Sequence, residues 1–304
     1  MSKKIVCLGA GTGVSMVLSG LKKYPLDLTA VVTIFDDGWS SGKLKNELGI
    51  APVGDIRQCL TALSPERNLA SLFGYRFERG TFKGHCLGNL VIAAAIQQDG
   101  GLNEGIDRLR KVLNVKSKIL PVALKNSTIK AVLKNGKIVS GEESIIHCSY
   151  LSRIGVKKIY LDPKVQANPR VIAAIKKADL IIIAPGKFYT SILPNFLVSG
   201  IPEVFRQTRA KKIFICNLLT QIGNTDKFGV EDFIREFEKY VGKDIIDHVI
   251  FNTGKLPPQK LKEVKKIFPG TNFIKYGQDL LGNKNYIGAD VLDRNIRKLN
   301  PADT

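Results

Sequence analysis

Ile5-Val6-Cys7-Leu8-Gly9-Ala10-Gly11-Thr12-Gly13-Val14-Ser15 reads as a buried strand running into a glycine loop, and a helical stretch, Met16 to Lys23, follows at once. An unbroken apolar run suits a strand covered on both faces. Glycines let the backbone turn sharply and approach a bound group, and the unpaired N–H groups opening the next helix point at whatever sits there. That geometry favours an anion, usually phosphate. The dinucleotide fingerprint needs its third glycine where this chain has Val14, so the spacing departs from a nicotinamide-cofactor site. Gly9, Gly11, Gly13 and Thr12, with Ser15 beside them, favour a phosphate loop over a bare strand-to-helix turn.

Working outward, Leu28 to Phe35 reads as a second buried strand, β-branched and apolar, ending in Asp36-Asp37. Gly38-Trp39-Ser40-Ser41-Gly42-Lys43 follows, a second small-residue loop with hydroxyls and a cation. Adjacent carboxylates repel. A Mg²⁺ ion bridging them to phosphate oxygens relieves that, because Mg²⁺ usually takes one or two protein carboxylates. Asp36 and Asp37 are therefore candidate metal ligands and, in an enzyme, candidate catalytic groups; the alternative is a solvated turn with Asp36 capping a helix. In Gly54-Asp55-Ile56-Arg57 the acid lies in a first-turn or capping position, where a structural role is commoner than catalysis. Gly84-His85-Cys86-Leu87-Gly88-Asn89 opens an apolar helix, Val91 to Ile96. His85 suits general acid–base work near neutral pH, but with no partner in sequence a hydrogen-bonded loop residue is the plainer reading.

Asn103 to Asn114 is an amphipathic helix. Thr128 to Leu133, Asn135-Gly136 and Lys137 to Val139 then give a β-hairpin signal, the residue pair being the one a tight primed turn prefers. Alternation of strand and helix resumes with Lys158 to Leu161, a helix over Pro169 to Lys177 and the strand Leu180 to Ile183. The next turn, Ala184 to Asn195, carries Gly186, Lys187, Tyr189, Thr190, Ser191 and Asn195. In a doubly wound sheet such turns emerge at the carboxyl ends of the strands, so several can face one crevice. The strand Lys212 to Cys216 adds Asn217, Thr220 and Gln221, amides and a hydroxyl suited to reading a base or sugar. A helix near Glu231 to Val241, a strand at His248 to Asn252, a helix near Gln259 to Ile267 and a strand at Phe273 to Tyr276 complete the pattern. With no repeat or linker, the expectation is one α/β domain over residues 1–304: a Rossmann-like, doubly wound, mainly parallel sheet with an inserted antiparallel hairpin.

Composition narrows the function classes. The 304 residues are 44% hydrophobic, and no apolar run approaches the roughly 20 residues of a membrane span. Met1-Ser2-Lys3-Lys4 lacks the apolar core of a signal peptide, which points to the cytoplasm. Five widely spaced cysteines suit neither a disulfide framework nor a zinc site. A net charge of +19 invites a nucleic-acid reading. The lysines come in small scattered groups without aromatic interleaving, which leaves nucleic acid a distant third and suits a small polyanion instead.

Taken together, the loops resemble a known family. The Gly9–Ser15 loop, Asp36-Asp37 with Ser40-Ser41-Gly42, Gly54-Asp55-Ile56-Arg57, Gly84-His85 with Gly88-Asn89, Asn135-Gly136 with Gly141-Glu142, Pro185-Gly186 with Tyr189-Thr190-Ser191 and Pro194-Asn195, and Asn217 with Thr220-Gln221 occur in this order in the CofD-like proteins. The likeness spans about Ile5 to Asn252 and is closest to the bacterial gluconeogenesis-factor (YvcK) branch. The resemblance implies a Rossmann-like cytoplasmic protein, expected as a homodimer, that binds a nucleotide sugar such as UDP-N-acetylglucosamine and supports cell shape and wall synthesis during gluconeogenic growth. The enzymatic relatives imply an alternative: a Mg²⁺-dependent 2-phospho-L-lactate transferase acting on a deazaflavin alcohol in coenzyme F420 synthesis. Trp39, Ala10, Ala184, Lys187, Phe188 and Asn224 depart from the branch's usual residues; they bear on ligand identity more than on fold. Trp39 would stack on a base or close a pocket, and Lys187 adds a charge suited to phosphate.

Overall fold

The computed structural model describes residues 2–292 without the side chain of Trp39, so the stacking expected of that indole lies outside the described residues. The strands are β1 (Lys4–Gly9), β2 (Asp27–Val32), β3 (Lys118–Pro121), β4 (Thr128–Leu133), β5 (Ile138–Ser140), β6 (Val156–Asp162), β7 (Leu180–Ile183), β8 (Lys211–Ile215), β9 (His248–Asn252) and β10 (Tyr286–Ala289). Seven of them form one sheet in the order β10-β9-β8-β7-β1-β2-β3, every neighbouring pair parallel. β1 and β7 at its centre are continuous apolar runs because helices cover both faces. The chain steps from β1 through β2 to β3 on one side, then returns to β7 on the other. The order therefore reverses between β1 and β7, and ligands of such sheets bind outside the strand ends at that point.

Seven helices matter for the site: α1 (Gly11–Leu21), α2 (Trp39–Leu48), α3 (Gly54–Leu63), α4 (Arg67–Gly74), α5 (Leu87–Asp99), α6 (Leu102–Val112) and α7 (Glu142–Ile146). α1 starts at Gly11 rather than Met16, so the glycine stretch is the helix's first turn and not a loop before it. The hairpin β4–β5 is antiparallel as expected. β6 departs from the sequence reading: instead of resuming the parallel sheet it pairs antiparallel with β4, giving a second sheet ordered β5-β4-β6. Its inward residues, Ile159 and Leu161, join the same hydrophobic core as β1 and β7.

The expected strand at Phe273 to Tyr276 is likewise replaced. Phe273 and Lys275 make single bridges to Leu219 and Gly229, bracing the loop after β8, while the edge strand is β10. No helix among the described residues is long and apolar enough to cross a membrane. All five cysteines are buried thiols.

Candidate functional site

Three segments meet at the switch point because two of the first three residues of α1, Gly11 and Gly13, are glycines. A β-carbon on Gly11 would stand 2.7 Å from the Asp55 α-carbon, and one on Gly13 would stand 1.9 Å from the Pro185 carbonyl oxygen. The first turn of α1 is thereby pressed between α3 and the turn after β7. The N-cap residue Ala10 makes no side-chain cap and no acid lies in the first turn of α1, but the Asp55 carboxylate accepts the Gly11 N–H. The rest of the helix's amino end keeps the partial positive charge that attracts anions. Gly9 closes β1 beside Ala184, and the exposed Thr12 donates its hydroxyl to Gln58 Oε1 at 2.8 Å.

The adjacent acids Asp36 and Asp37 separate. Asp37 accepts the backbone N–H groups of Glu142 (3.0 Å) and Glu143 (2.9 Å), capping α7 and fastening the antiparallel insert to the main sheet. Each of its oxygens thus accepts one N–H group from the start of α7. Asp36 accepts the Gly38 N–H at 2.7 Å and faces Asp55 and Glu142 instead.

Asp55 is pushed up to about 7, first by burial and then by the Asp36 charge; the Gly11 N–H, Lys187 and Arg57 oppose the shift. Buried Glu142 is pushed well above the carboxylate range by burial, then by Asp36 and Asp55, against the pull of Lys187. Lys187 thus faces both carboxyls, with Arg57 a second cation near Asp55. Among the described residues no three His, Cys, Asp or Glu side chains are arranged to enclose a metal ion. Asp36 and Asp55 nonetheless fit the one-or-two-carboxylate habit of Mg²⁺, whose remaining positions go to phosphate and water.

Ser40, Arg57, His85 and Asn89, from three of the motifs shared with the CofD-like proteins, are buried together. Arg57 Nε donates to Asn89 Oδ1 (3.1 Å), Asn89 Nδ2 to Ser40 Oγ (3.2 Å), and Ser40 Oγ lies 3.3 Å from His85 Nδ1. Ser41 is buried against Gly54, its Oγ 2.9 Å from where a β-carbon would stand.

Beyond β7 the predicted residues divide. Gly186 is clasped by Asn217, which accepts its N–H (3.1 Å) and donates to its carbonyl (2.6 Å), so Asn217 ties two strand-end turns together. Tyr189 lies in the core edge-to-face with Phe188 and Phe228, and burial pushes its hydroxyl well up. Asn195 donates to the Ser191 carbonyl (2.8 Å) and towards Gly9 (3.4 Å). Thr190 and Ser191 are buried in a turn of π-helix, Phe188–Ile192; Thr190 Oγ1 and Asn195 Oδ1 have no hydrogen-bond partner among the described residues. Thr220 pairs through backbone and hydroxyl with Asn272, and the Gln221 backbone holds the turn through Thr225. The structure therefore gathers Gly11, Gly13, Asp36, Asp55 and Lys187, and assigns Tyr189, Asn217 and Thr220 to packing and turn formation. It adds Glu142, whose only sequence signal was a glycine followed by acids at a short helix start.

The sequence model of the family described as 2-phospho-L-lactate transferase CofD matches residues 5–292. A Bacillus subtilis (strain 168) protein named Gluconeogenesis factor is 43% identical over 259 residues, 84% of this chain and 80% of that one. A Clostridium acetobutylicum relative is 40% identical over 299 residues, 97% of this chain, and the chain spans 65% of that relative's length. A crystal structure of a Bacillus halodurans protein superposes with a TM-score of 0.88 at 38% identity, covering 95% of this chain and 93% of the other.

Proposed function

The chain belongs to the CofD family, and from that premise we propose that it is a gluconeogenesis-factor-type protein that binds a nucleotide sugar, UDP-N-acetylglucosamine or a close analogue. In this reading it acts in the cytoplasm to support cell shape and wall synthesis during gluconeogenic growth. The observation that carries it is the close approach of Gly13 to Pro185. The amino end of α1 and the turn that carries Lys187 stand side by side, and a diphosphate suits a helix amino end next to a cation. The scarcity of exposed amides around Asn217 and Thr220 leaves base and sugar to the half-buried Gln221 side chain and to backbone groups. Isothermal titration with UDP-N-acetylglucosamine tests it. Micromolar binding is expected; no heat up to millimolar ligand, about 4 kcal/mol or weaker, overturns it.

Asp55 favours a second reading, a Mg²⁺-dependent transferase of a phospholactyl group. Buried beside Asp36 and near Lys187, its carboxyl is placed to share a divalent cation with Asp36. Mg²⁺ held by Asp36 and Asp55 would neutralise phosphate charge, and Lys187 would offset charge developing at phosphorus. Incubation with Mg²⁺, a guanylyl phospholactate donor and a deazaflavin alcohol would release GMP. An intact donor at stoichiometric protein removes this reading.

A further inference from the structure

Between α4 and α5 the chain doubles back on itself. Leu87 N–H donates to the Tyr75 carbonyl (2.8 Å), Phe77 N–H to that of His85 (3.0 Å) and Gly84 N–H to that of Phe77 (2.7 Å), so two legs run antiparallel. Gly80 and Gly84, at φ of 75° and 83°, turn the chain around. The base of this arm is fixed, because the Cys86 thiol donates to the Phe73 carbonyl at 3.1 Å and both residues belong to the buried interior. Its outer part stands clear of the body: apart from half-buried Phe77, every residue from 74 to 83 is exposed. The residue types are wrong for a solvated turn. Tyr75 is 51% and Phe82 54% exposed, and Leu72, in the last turn of α4, is 52% exposed. Phe77 meets the Tyr75 ring edge to face with centroids 5.2 Å apart and lies 5.6 Å from that of Phe82. Three rings therefore form a cluster of their own outside the core, and a contiguous exposed apolar patch marks a contact surface where single exposed residues do not.

The charges on the arm say what covers the rings. Arg76, Arg79 and Lys83 share it with one carboxylate, Glu78, and Arg76 Nη1 donates to the Gly84 carbonyl at 2.8 Å, which holds that cation at the arm. We propose that the arm docks the protein on an anionic lipid surface, with Tyr75, Phe77 and Phe82 entering the headgroup boundary and Arg79 and Lys83 meeting lipid phosphates. Aromatic rings favour that boundary, and cations beside them are drawn to acidic lipids. A second copy of the chain would bring like charges together. An arm this short also falls well below the roughly 800 Å² that each side of a stable protein interface buries. A lipid surface needs only the ring tips, and the net charge of +19 adds a long-range attraction to it. The contact is peripheral, in keeping with the lack of a membrane-crossing helix among the described residues.

Sedimentation of the full chain with lipid vesicles tests this. The chain should sediment with vesicles of an equal mixture of phosphatidylcholine and phosphatidylglycerol, should stay in solution with phosphatidylcholine alone, and should be released by salt. Tyr75→Ser with Phe82→Ser should weaken binding about tenfold or more. Ile138→Ser, which removes an equally exposed apolar side chain from β5, should leave it unchanged. Phe82→Trp keeps a ring and reports its surroundings directly: over the constant background of Trp39, the one native tryptophan, its emission should shift to the blue when mixed vesicles are added. Failure to sediment with the mixed vesicles overturns the proposal and leaves the arm to an acidic protein partner. Equal binding by the serine variant also overturns it, since net charge alone would then hold the chain to the surface, as does an unshifted emission from Phe82→Trp. If the serine variant loses oligomers that light scattering detects in the vesicle-free protein, while sedimentation is unaffected, the arm joins copies of the chain and the proposal fails.

Discussion

The Pro185 carbonyl oxygen occupies the space that a β-carbon on Gly13 would need, 1.9 Å away. Both parties are backbone, so neither yields by changing a rotamer. Gly13→Ala must push α1 off the turn after β7, at a cost of about 2–3 kcal/mol in urea unfolding and a loss of UDP-N-acetylglucosamine affinity of tenfold or more. Gly20 lies on the same helix with nothing within 4 Å of its would-be β-carbon. Gly20→Ala should raise stability by about 0.5–1 kcal/mol and leave binding alone. Equal behaviour of the two variants would mean that the contact does not organise the site.

Asp37 is an anchor, which gives it a signature distinct from that of Asp36. Asp37→Ala removes the acceptor of two N–H groups, and a hydrogen bond to a charged group contributes about 1.5–3 kcal/mol. The expected loss is about 2–3 kcal/mol, partly recovered in Asp37→Asn, which keeps one acceptor oxygen. Hydrogen exchange locates it: the Glu142 and Glu143 amides should exchange faster in the alanine variant while those of β1 and β7 keep their protection. Unchanged exchange at Glu142 would contradict the capping role.

How much of this was legible in the sequence follows from what each segment is buried against. β1, β2 and β7 announce themselves because a central parallel strand must be apolar on both faces, and their turns carry glycine or acid where the chain leaves the sheet. β10 has no such constraint. Tyr286-Ile287-Gly288-Ala289 runs along an edge, half-exposed, and its pairing with β9 leaves no mark in hydrophobic pattern. β6 misleads for a different reason: Val156, Ile159 and Leu161 point inward whichever sheet receives them, and only the partner strand decides parallel or antiparallel.

The site divides along the same line. Asp36 and Lys187 sit in strand-end turns and Asp55 in the first turn of α3, all legible locally, whereas Glu142 enters only because Asp37, 105 residues earlier, holds the start of α7. Tyr189 and Asn195 look like ligand contacts by residue type. The π-helical turn that rotates Tyr189 into the phenylalanine cluster is set by packing against Phe228 and Phe233, far along the chain.

Lys187 is the cation opposing the charges of Asp55 and Glu142. Lys187→Met should push both carboxyls further up and remove a phosphate contact. Nucleotide-sugar affinity should fall about tenfold or more, whereas Lys187→Arg, which keeps the charge, should recover most of it. Calorimetry on the three proteins distinguishes charge from packing; a methionine variant that binds as well as the arginine variant would place the diphosphate elsewhere.

The raised Asp55 makes stability pH-dependent in a definite direction. Its folded value is about 7, against about 3.9 for an unfolded aspartate. Between these values the folded chain holds more protons than the unfolded chain, so stability falls as pH rises from about 4 through about 7. Removing the charge removes that penalty. In EDTA, Asp55→Asn should match the unaltered protein near pH 4 and exceed its stability by about 1–3 kcal/mol at pH 8, less than the full shift implies because the crevice is open to water. Glu142 shifts in the same sense, so part of the slope survives in the variant. If Asp36 and Asp55 hold Mg²⁺, millimolar MgCl₂ at pH 8 should raise the urea midpoint of the unaltered protein and leave that of Asp55→Asn nearly still. A variant destabilised equally at pH 5 and pH 8 would mean that the bond from the Gly11 N–H, which favours the charged carboxylate, outweighs burial.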